Sequence, residues 1–199
     1  VPQGSVLGPL FFTMYISPLA NVINSFGIAN HQYADDTQLF MSLSKLDWIN
    51  KIRTVENCLT SVYNWLSMNY LALNASKTEV IMLGTSQQLS TLQQMVTTID
   101  VAGSSISFND TFKTLGVNLD SRLTFNKHVQ TVCTSCSYHI RSLRHIRPLL
   151  TKDSASMIAC GIVGSRLDYC NSLFYGMSTE NFTKLQRIQD NLARVVTLS

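Results

Sequence analysis

Apolar positions recur along the chain with two different periods. Leu10, Phe11, Met14 and Tyr15 follow Pro9 at helical spacing, and proline suits a first helical position. Ser17-Pro18 restarts that helix through Asn24, and Gly27 ends it. Residues 28–41, IANHQYADDTQLFM, form two short β-prone runs around an Asp-Asp pair, the pattern of a tight hairpin. From Asp47 to Met68, Trp48, Ile52, Val55, Leu59, Val62 and Leu66 form a 3.6-residue stripe, with Asp47 placed as N-cap. TEVIMLG, residues 78–84, reads as a strand. Thr98–Asp120 holds further short strands, broken by Gly103-Ser104-Ser105 and by Asn109-Asp110. After Phe125 the pattern turns helical, with Pro148 as a break and Thr151 or Asp153 opening the next helix. The expectation is an α+β region over 1–122 and an all-α region over 123–199.

Charge sharpens this division. The 199 residues carry 15 basic and 12 acidic side chains, a net charge of +3. Residues 1–111 hold 4 basic and 7 acidic groups, whereas residues 112–199 hold 11 and 5. An acidic part thus precedes a basic one, and the switch nearly coincides with the change to helices. With 45% hydrophobic residues, the chain is not intrinsically disordered. No apolar run reaches the roughly 18 residues of a membrane span, and no basic-then-apolar leader is visible. Five cysteines without such a leader read as reduced thiols. The expected location is intracellular, in nucleus or cytoplasm, neither secreted nor membrane-bound. The chain opens at Val1 and closes on a helical pattern without a stop signal, so it reads as a segment of something longer.

Tyr33-Ala34-Asp35-Asp36 is the central chemical feature. Adjacent carboxylates repel each other and gain nothing from sheet packing. Two readings compete: a solvated Asp-Asp turn, or a Mg²⁺ site, since Mg²⁺ takes one or two hard carboxylates plus water and phosphate oxygens. Neighbouring strand residues point to opposite faces, so the two can share one ion only if the turn redirects one of them. Asp35 is the expected primary ligand and Asp36 the peripheral one. A two-metal centre needs a further carboxylate from another strand.

Other blocks accompany this motif. Val1-Pro2-Gln3-Gly4-Ser5-Val6-Leu7-Gly8-Pro9-Leu10 stands upstream; Trp65-Leu66, Leu73-Asn74-Ala75-Ser76-Lys77-Thr78-Glu79 and Phe112-Lys113-Thr114-Leu115-Gly116-Val117-Asn118-Leu119-Asp120 stand downstream. In that order and spacing they resemble the second half of a reverse transcriptase of the non-LTR, LINE-type, jockey-like retrotransposon class. The stretch SRLDYCNSLFYGMSTENFTKLQRIQDNLARVV is similar to the region after the polymerase palm in such elements. The resemblance implies a partial right-hand palm of antiparallel hairpins and helices, followed by a helical thumb-like region.

It also implies roles. Gln3 and Gly4 resemble the loop beside templating base and incoming nucleotide, where glycine allows close backbone approach and glutamine offers donor and acceptor. Tyr33 corresponds to the residue near the primer end, and Asp35 and Asp36 to catalytic metal-holding carboxylates. Lys77 is either a lysine near the triphosphate, assisting the leaving pyrophosphate, or a surface lysine beside Glu79. Leu115 and Gly116 fall in the hairpin that grips the primer, or in an amphipathic edge strand. The family's other catalytic aspartate has no counterpart here and is expected before residue 1; Asp47 and Asp100 read as a helix cap and a loop residue.

The basic part holds Arg141, Arg144, His145, Arg147 and Lys152 in RSLRHIRPLLTK, after an apolar stripe of Val129, Val132, Cys136, Ile140 and Leu143. These cations are expected on the outer face of a helix. There they either hold a template–primer duplex through phosphate contacts or form a plain solvated face. Cys133-x-x-Cys136 with His128 and His139 has the makings of a zinc site, but both cysteines fall on the apolar stripe and are better read as small core residues.

The expected function is RNA-directed DNA polymerisation in the complete protein. Its partners would be an RNA template, a DNA primer and deoxynucleoside triphosphates, with no membrane partner. Its cofactor would be two Mg²⁺ ions, with Mn²⁺ as substitute. The alternatives are an inactive remnant that binds nucleic acid and, less in keeping with the motifs, an RNA-templated RNA polymerase.

Overall fold

The computed structural model describes residues 4–44 and 46–198. Val1, Pro2 and Gln3 lie outside the described residues, and with them the template-side role expected of Gln3. The chain forms two compact units, residues 1–80 with 90–108, and residues 81–89 with 109–199.

In the first unit, α1 (Gly8–Ile16) and α2 (Leu19–Asn24) are separated by Ser17-Pro18. Pro9 sits in the first turn of α1, where its missing N–H costs no hydrogen bond. Gly27 takes a positive φ of 69° and turns the chain into β1 (Ala29–Tyr33), which pairs antiparallel with β2 (Asp36–Phe40). The long α3 (Trp48–Met68) buries Ile52, Cys58, Val62 and Leu66, the stripe that its sequence period marks. Cys58, Val62 and Leu66 close a core with Ile16, Leu19, Ile23 and Ile28, against which Trp65 also packs.

One expectation holds in position but not in bonding, and another needs correction. Asp47 stands at the N-cap position of α3, but its carboxylate accepts from the Asn50 side-chain amide at 3.0 Å and bonds no backbone N–H of the first turn. Its backbone, at φ −132° and ψ 14°, lies outside the extended region that N-cap residues favour. Asp100 lies not in a loop but in β4 (Thr98–Val101), and its Oδ1 accepts the Gly103 N–H at 3.1 Å. The Asp100 N–H donates to Glu56 Oε1 on α3 at 3.1 Å, fixing β4 and its partner β5 (Ser104–Asn109) to that helix.

TEVIMLG contributes only β3 (Val80–Ile81). A 3₁₀ turn over Ala75–Lys77 draws the Thr78 N–H onto the Ala75 carbonyl at 3.1 Å, which shortens the strand from its start. Near the division between the units lies α4 (Ser86–Gln93).

The second unit begins with the hairpin of β6 (Thr111–Thr114) and β7 (Val117–Asp120), then continues with α5 (Asn126–Ile146). Pro148 ends α5 in a 3₁₀ turn, and Thr151 opens α6 (Lys152–Ala159), its hydroxyl accepting from the Ser154 N–H at 3.2 Å. A π-helical turn over Cys160–Gly164 leads into α7 (Ser165–Asp168), and α8 (Thr179–Thr197) follows, capped by Ser178. Cys136, Ile140 and Leu143 of α5 pack with Val163, Leu167, Ile188 and Val195 into a second core. The fold is therefore mixed α/β with small antiparallel sheets, then helical. Among the described residues no helix is long and apolar enough to cross a membrane.

Candidate functional site

The β1–β2 hairpin reverses in two residues. Tyr33 and Asp36 pair directly across the strands, so Ala34 and Asp35 form the turn. Ala34 takes a φ of 52°, a region that costs a residue with a β-carbon about 1–2 kcal/mol. Such strain persists only where the surroundings over-determine it, and it clusters at functional sites.

This geometry resolves the alternation problem. Asp35 belongs to the turn, where the strict two-face rule of a strand does not hold, and Asp36 is the first residue of β2. Cross-strand partners share a face, so Asp36 and Tyr33 stand side by side. Tyr33 is 61% exposed and both carboxylates are exposed. Among the described residues neither carboxylate takes a salt bridge or a side-chain hydrogen bond, so its lone pairs are open to a ligand. Beneath the turn, the Gln32 amide nitrogen is buried without a hydrogen-bond partner among the described residues.

These donors fit part of a Mg²⁺ shell: two hard carboxylates on a solvent-facing tip, with room for water and phosphate oxygens. Among the described residues no group of three or more His, Cys, Asp and Glu could hold a metal by itself. Asp35 and Asp36 thus offer two ligands of a larger set.

Gly4 and Lys77 belong to the same unit as the hairpin. Gly4 is exposed with a φ of 88°, and the space where a β-carbon would sit is open. Lys77 ends the 3₁₀ turn and is exposed; Asn74 fixes that turn by accepting from the Ser76 N–H at 3.1 Å and hydroxyl at 2.6 Å.

Leu115 and Gly116 form the β6–β7 turn in the second unit, with φ values of 45° and 83°. Positive φ at both central positions is what a tight type I′ turn demands, and it suits glycine far better than leucine. The second strand of this hairpin is tied to α5 close to the turn. The Asn118 N–H donates to His128 Nδ1 at 3.4 Å, and His128 lies 5.7 Å from the Phe174 ring. Burial pushes the His128 pKa down. At the end of β7, burial would raise the Asp120 carboxyl. Hydrogen bonds from the Thr124 N–H (2.9 Å), the Phe125 N–H (2.7 Å), the Thr124 hydroxyl (3.1 Å) and the Arg122 N–H (3.2 Å) outweigh it and hold the group below its ordinary value. The sequence block that ends at Asp120 gives that residue no role of its own, and no pattern ties His128 to Asn118 on the preceding strand.

The basic residues divide. Arg141 and Arg144 are exposed on α5, and Lys152 is exposed at the start of α6. Arg147 is not on the outer face: it is 6% exposed, and its guanidinium donates to the carbonyls of Val196 and Leu150. Two peptide carbonyls left unpaired at helix ends claim it, and it is withdrawn from the set that could meet phosphates. Arg141 and Lys184 line a groove of about 590 Å³ between α5 and α8. Cys136 is fully buried and Cys133 partly so; burial pushes both thiols up, as expected of core residues.

Comparison with known proteins places the chain. The sequence profile of the family described as Reverse transcriptase (RNA-dependent DNA polymerase) matches residues 1–119, so the chain belongs to that family. It is 26% identical over 99% of its length to a protein named "Probable RNA-directed DNA polymerase from transposon BS" of Drosophila melanogaster, of which it covers 22%. It is 23% identical, again over 99% of its length, to "RNA-directed DNA polymerase from mobile element jockey" of Drosophila funebris, covering 22% of that protein. To "Retrovirus-related Pol polyprotein from type-1 retrotransposable element R1" of Nasonia vitripennis it is 24% identical over 94% of its length, covering 57%. The resemblance to LINE-type retrotransposon polymerases drawn from the motifs agrees with these relatives. The chain spans about a fifth of the first two. No solved structure matches it significantly.

Proposed function

We propose that this chain is the catalytic-hairpin part of a palm, with a thumb-like helical region, in a polymerase that copies RNA into DNA. The observation that carries the proposal is the Tyr33–Asp36 tip, where two unpartnered carboxylates stand exposed, one in a strained two-residue turn and one at the start of β2. Asp35 and Asp36 would hold divalent metal, Mg²⁺ or in its place Mn²⁺, with a third carboxylate from outside this chain's described residues. When bound, two such ions activate an attacking primer 3′-hydroxyl and stabilise the leaving oxygen at the α-phosphate of a deoxynucleotide.

The remaining roles follow the family resemblance and, for the described residues among them, their exposure. Tyr33, beside Asp36, meets the primer end. Gln3 and Gly4 border the templating base and incoming nucleotide, and Lys77 faces the triphosphate. Leu115 and Gly116 contact the primer strand. Arg141, Arg144 and Lys152 meet duplex phosphates. The division proposed at residue 122, palm before and thumb after, is one of chemistry rather than packing, since the β6–β7 hairpin packs with the helices. RNA template, DNA primer and deoxynucleotides are the partners in this proposal, and a nuclear or cytoplasmic site is where such a reaction would run.

The test is primer extension on an RNA template by the complete protein. Asp35→Ala abolishes Mg²⁺-dependent extension and leaves duplex binding nearly intact. Full extension by that variant overturns the assignment.

A further inference from the structure

The β6–β7 turn holds a leucine in a conformation leucine resists, so something outside the hairpin keeps it there. Leu115 has a φ of 45°, and no side-chain hydrogen bond of its own favours that region. The contact comes from 54 residues further along: the Tyr169 hydroxyl donates to the Leu115 carbonyl at 2.6 Å. The Tyr169 ring lies over the second turn residue, where a β-carbon at Gly116 would stand 3.3 Å from ring atom Cε1. Gly116 is therefore demanded twice, by its φ of 83° and by the ring above it.

Tyr169 is not placed there as core. It is 51% exposed, so much of its ring faces solvent. What it does is bring a rigid aromatic body and a directional O–H to one peptide group. Its own backbone is fixed on both sides. The Tyr169 N–H donates to the Ser165 carbonyl at 3.1 Å, at the end of α7, and Cys170 follows at a φ of 53°, reversing the chain. Close to the turn, strand β7 is separately tied to α5 through Asn118, whose N–H reaches His128 and whose side-chain amide reaches the Thr131 hydroxyl at 3.4 Å. Turn and strand are thus fastened separately within one unit.

We infer that Tyr169 is a positioning residue for the β6–β7 turn: it sets where Leu115 and Gly116 stand, and through them the affinity for the primer strand. This rests on the proposed primer contact of that turn. Tyr169 itself touches neither primer nor nucleotide in this scheme. It gives the RLDYCN segment, residues 166–171, a task that its motif alone leaves unassigned.

The experiment compares wild-type, Tyr169→Phe and Asp35→Ala in the complete polymerase, by steady-state extension of a DNA primer on an RNA template. Amide hydrogen exchange across 111–120 is followed in parallel. Tyr169→Phe keeps the ring and removes one O–H, and the exposed Leu115 carbonyl passes to water, so the melting temperature stays close to wild-type. The expected result is faster exchange at the turn and a KM for primer–template raised about five- to tenfold, the scale of one lost hydrogen bond, with kcat preserved. A loss confined to the melting temperature, or an unchanged KM with the wild-type active, overturns the positioning role. A wild-type protein that does not extend primers, or an Asp35→Ala variant that does, overturns the polymerase reading instead, so the two failures are told apart.

Discussion

Arg147 donates to the Val196 carbonyl from both Nε, at 2.9 Å, and Nη2, at 2.7 Å, and its Nη1 reaches the Leu150 carbonyl at 2.8 Å. One guanidinium thereby joins the end of α5 to the last turn of α8, where a cation also suits the negative end of the helix. Arg147→Ala leaves those carbonyls without the charged donor and is expected to destabilise the protein by about 2–3 kcal/mol. Arg147→Lys recovers only part, since an ammonium cannot reproduce the fork. Urea unfolding is the measurement; a loss below about 0.5 kcal/mol for Arg147→Ala refutes the role.

The exposed cations behave differently. Substituting Arg141, Arg144 or Lys152 by Gln leaves stability within about 0.5 kcal/mol. If each meets a duplex phosphate, as proposed, its loss flattens the slope of log binding constant against log salt by about 0.9 per residue on duplex DNA. Arg147→Gln, measured where the protein is still folded, leaves that slope unaltered. Equal slopes for all four variants would show that the duplex lies elsewhere.

Ala34 supplies a third expectation. Glycine at this position relieves the positive φ and is expected to stabilise the hairpin by about 1 kcal/mol, whereas the β-branched side chain of Ala34→Val costs at least as much. The measurement is the melting temperature of the two variants. If the strain helps to aim Asp35, the glycine variant gains stability and loses extension rate together. A glycine variant less stable than the parent contradicts the turn geometry.

For His128, burial sets the sign. Its folded pKa lies below the ordinary value of about 6.5. As pH falls through about 6.5, the unfolded chain takes up a proton that the folded chain refuses, so stability drops until the folded pKa is passed. Stability is fully present above that window. NMR titration should place the His128 midpoint below about 6.5, and His128→Gln should remove the corresponding part of the pH dependence of unfolding. A midpoint at or above the ordinary value excludes a desolvated ring.

Local features were legible in the sequence. The α3 stripe, the hairpin around the Asp-Asp pair and the Thr151 start of α6 each depend on residues within one or two turns. Alternation and capping rules read those directly. Arg147 was not legible, because Arg141, Arg144 and Arg147 look alike on a basic helix, and what separates them is a carbonyl 49 residues away. Asp47 shows the reverse case: residue type and position suited a cap, and a nearby Asn50 side chain took the carboxylate instead. The candidate carboxylates were visible because they are contiguous. The latch on Leu115 was invisible, since no periodicity links a tyrosine after α7 to a turn before α5.

The pairing of α5 with α8 also bears on synthesis. Cys136, Ile140 and Leu143 are covered partly by Ile188 and Val195, which lie on α8 and are made after α5. While the ribosome is still translating α8, that face of α5 stays incompletely covered. The nascent helical unit is then open to chaperone capture or to pairing with another copy. Completion of this unit therefore waits for α8, whereas the β1–β2 hairpin that carries Asp35 needs no residue of α8 for its own strand pairing.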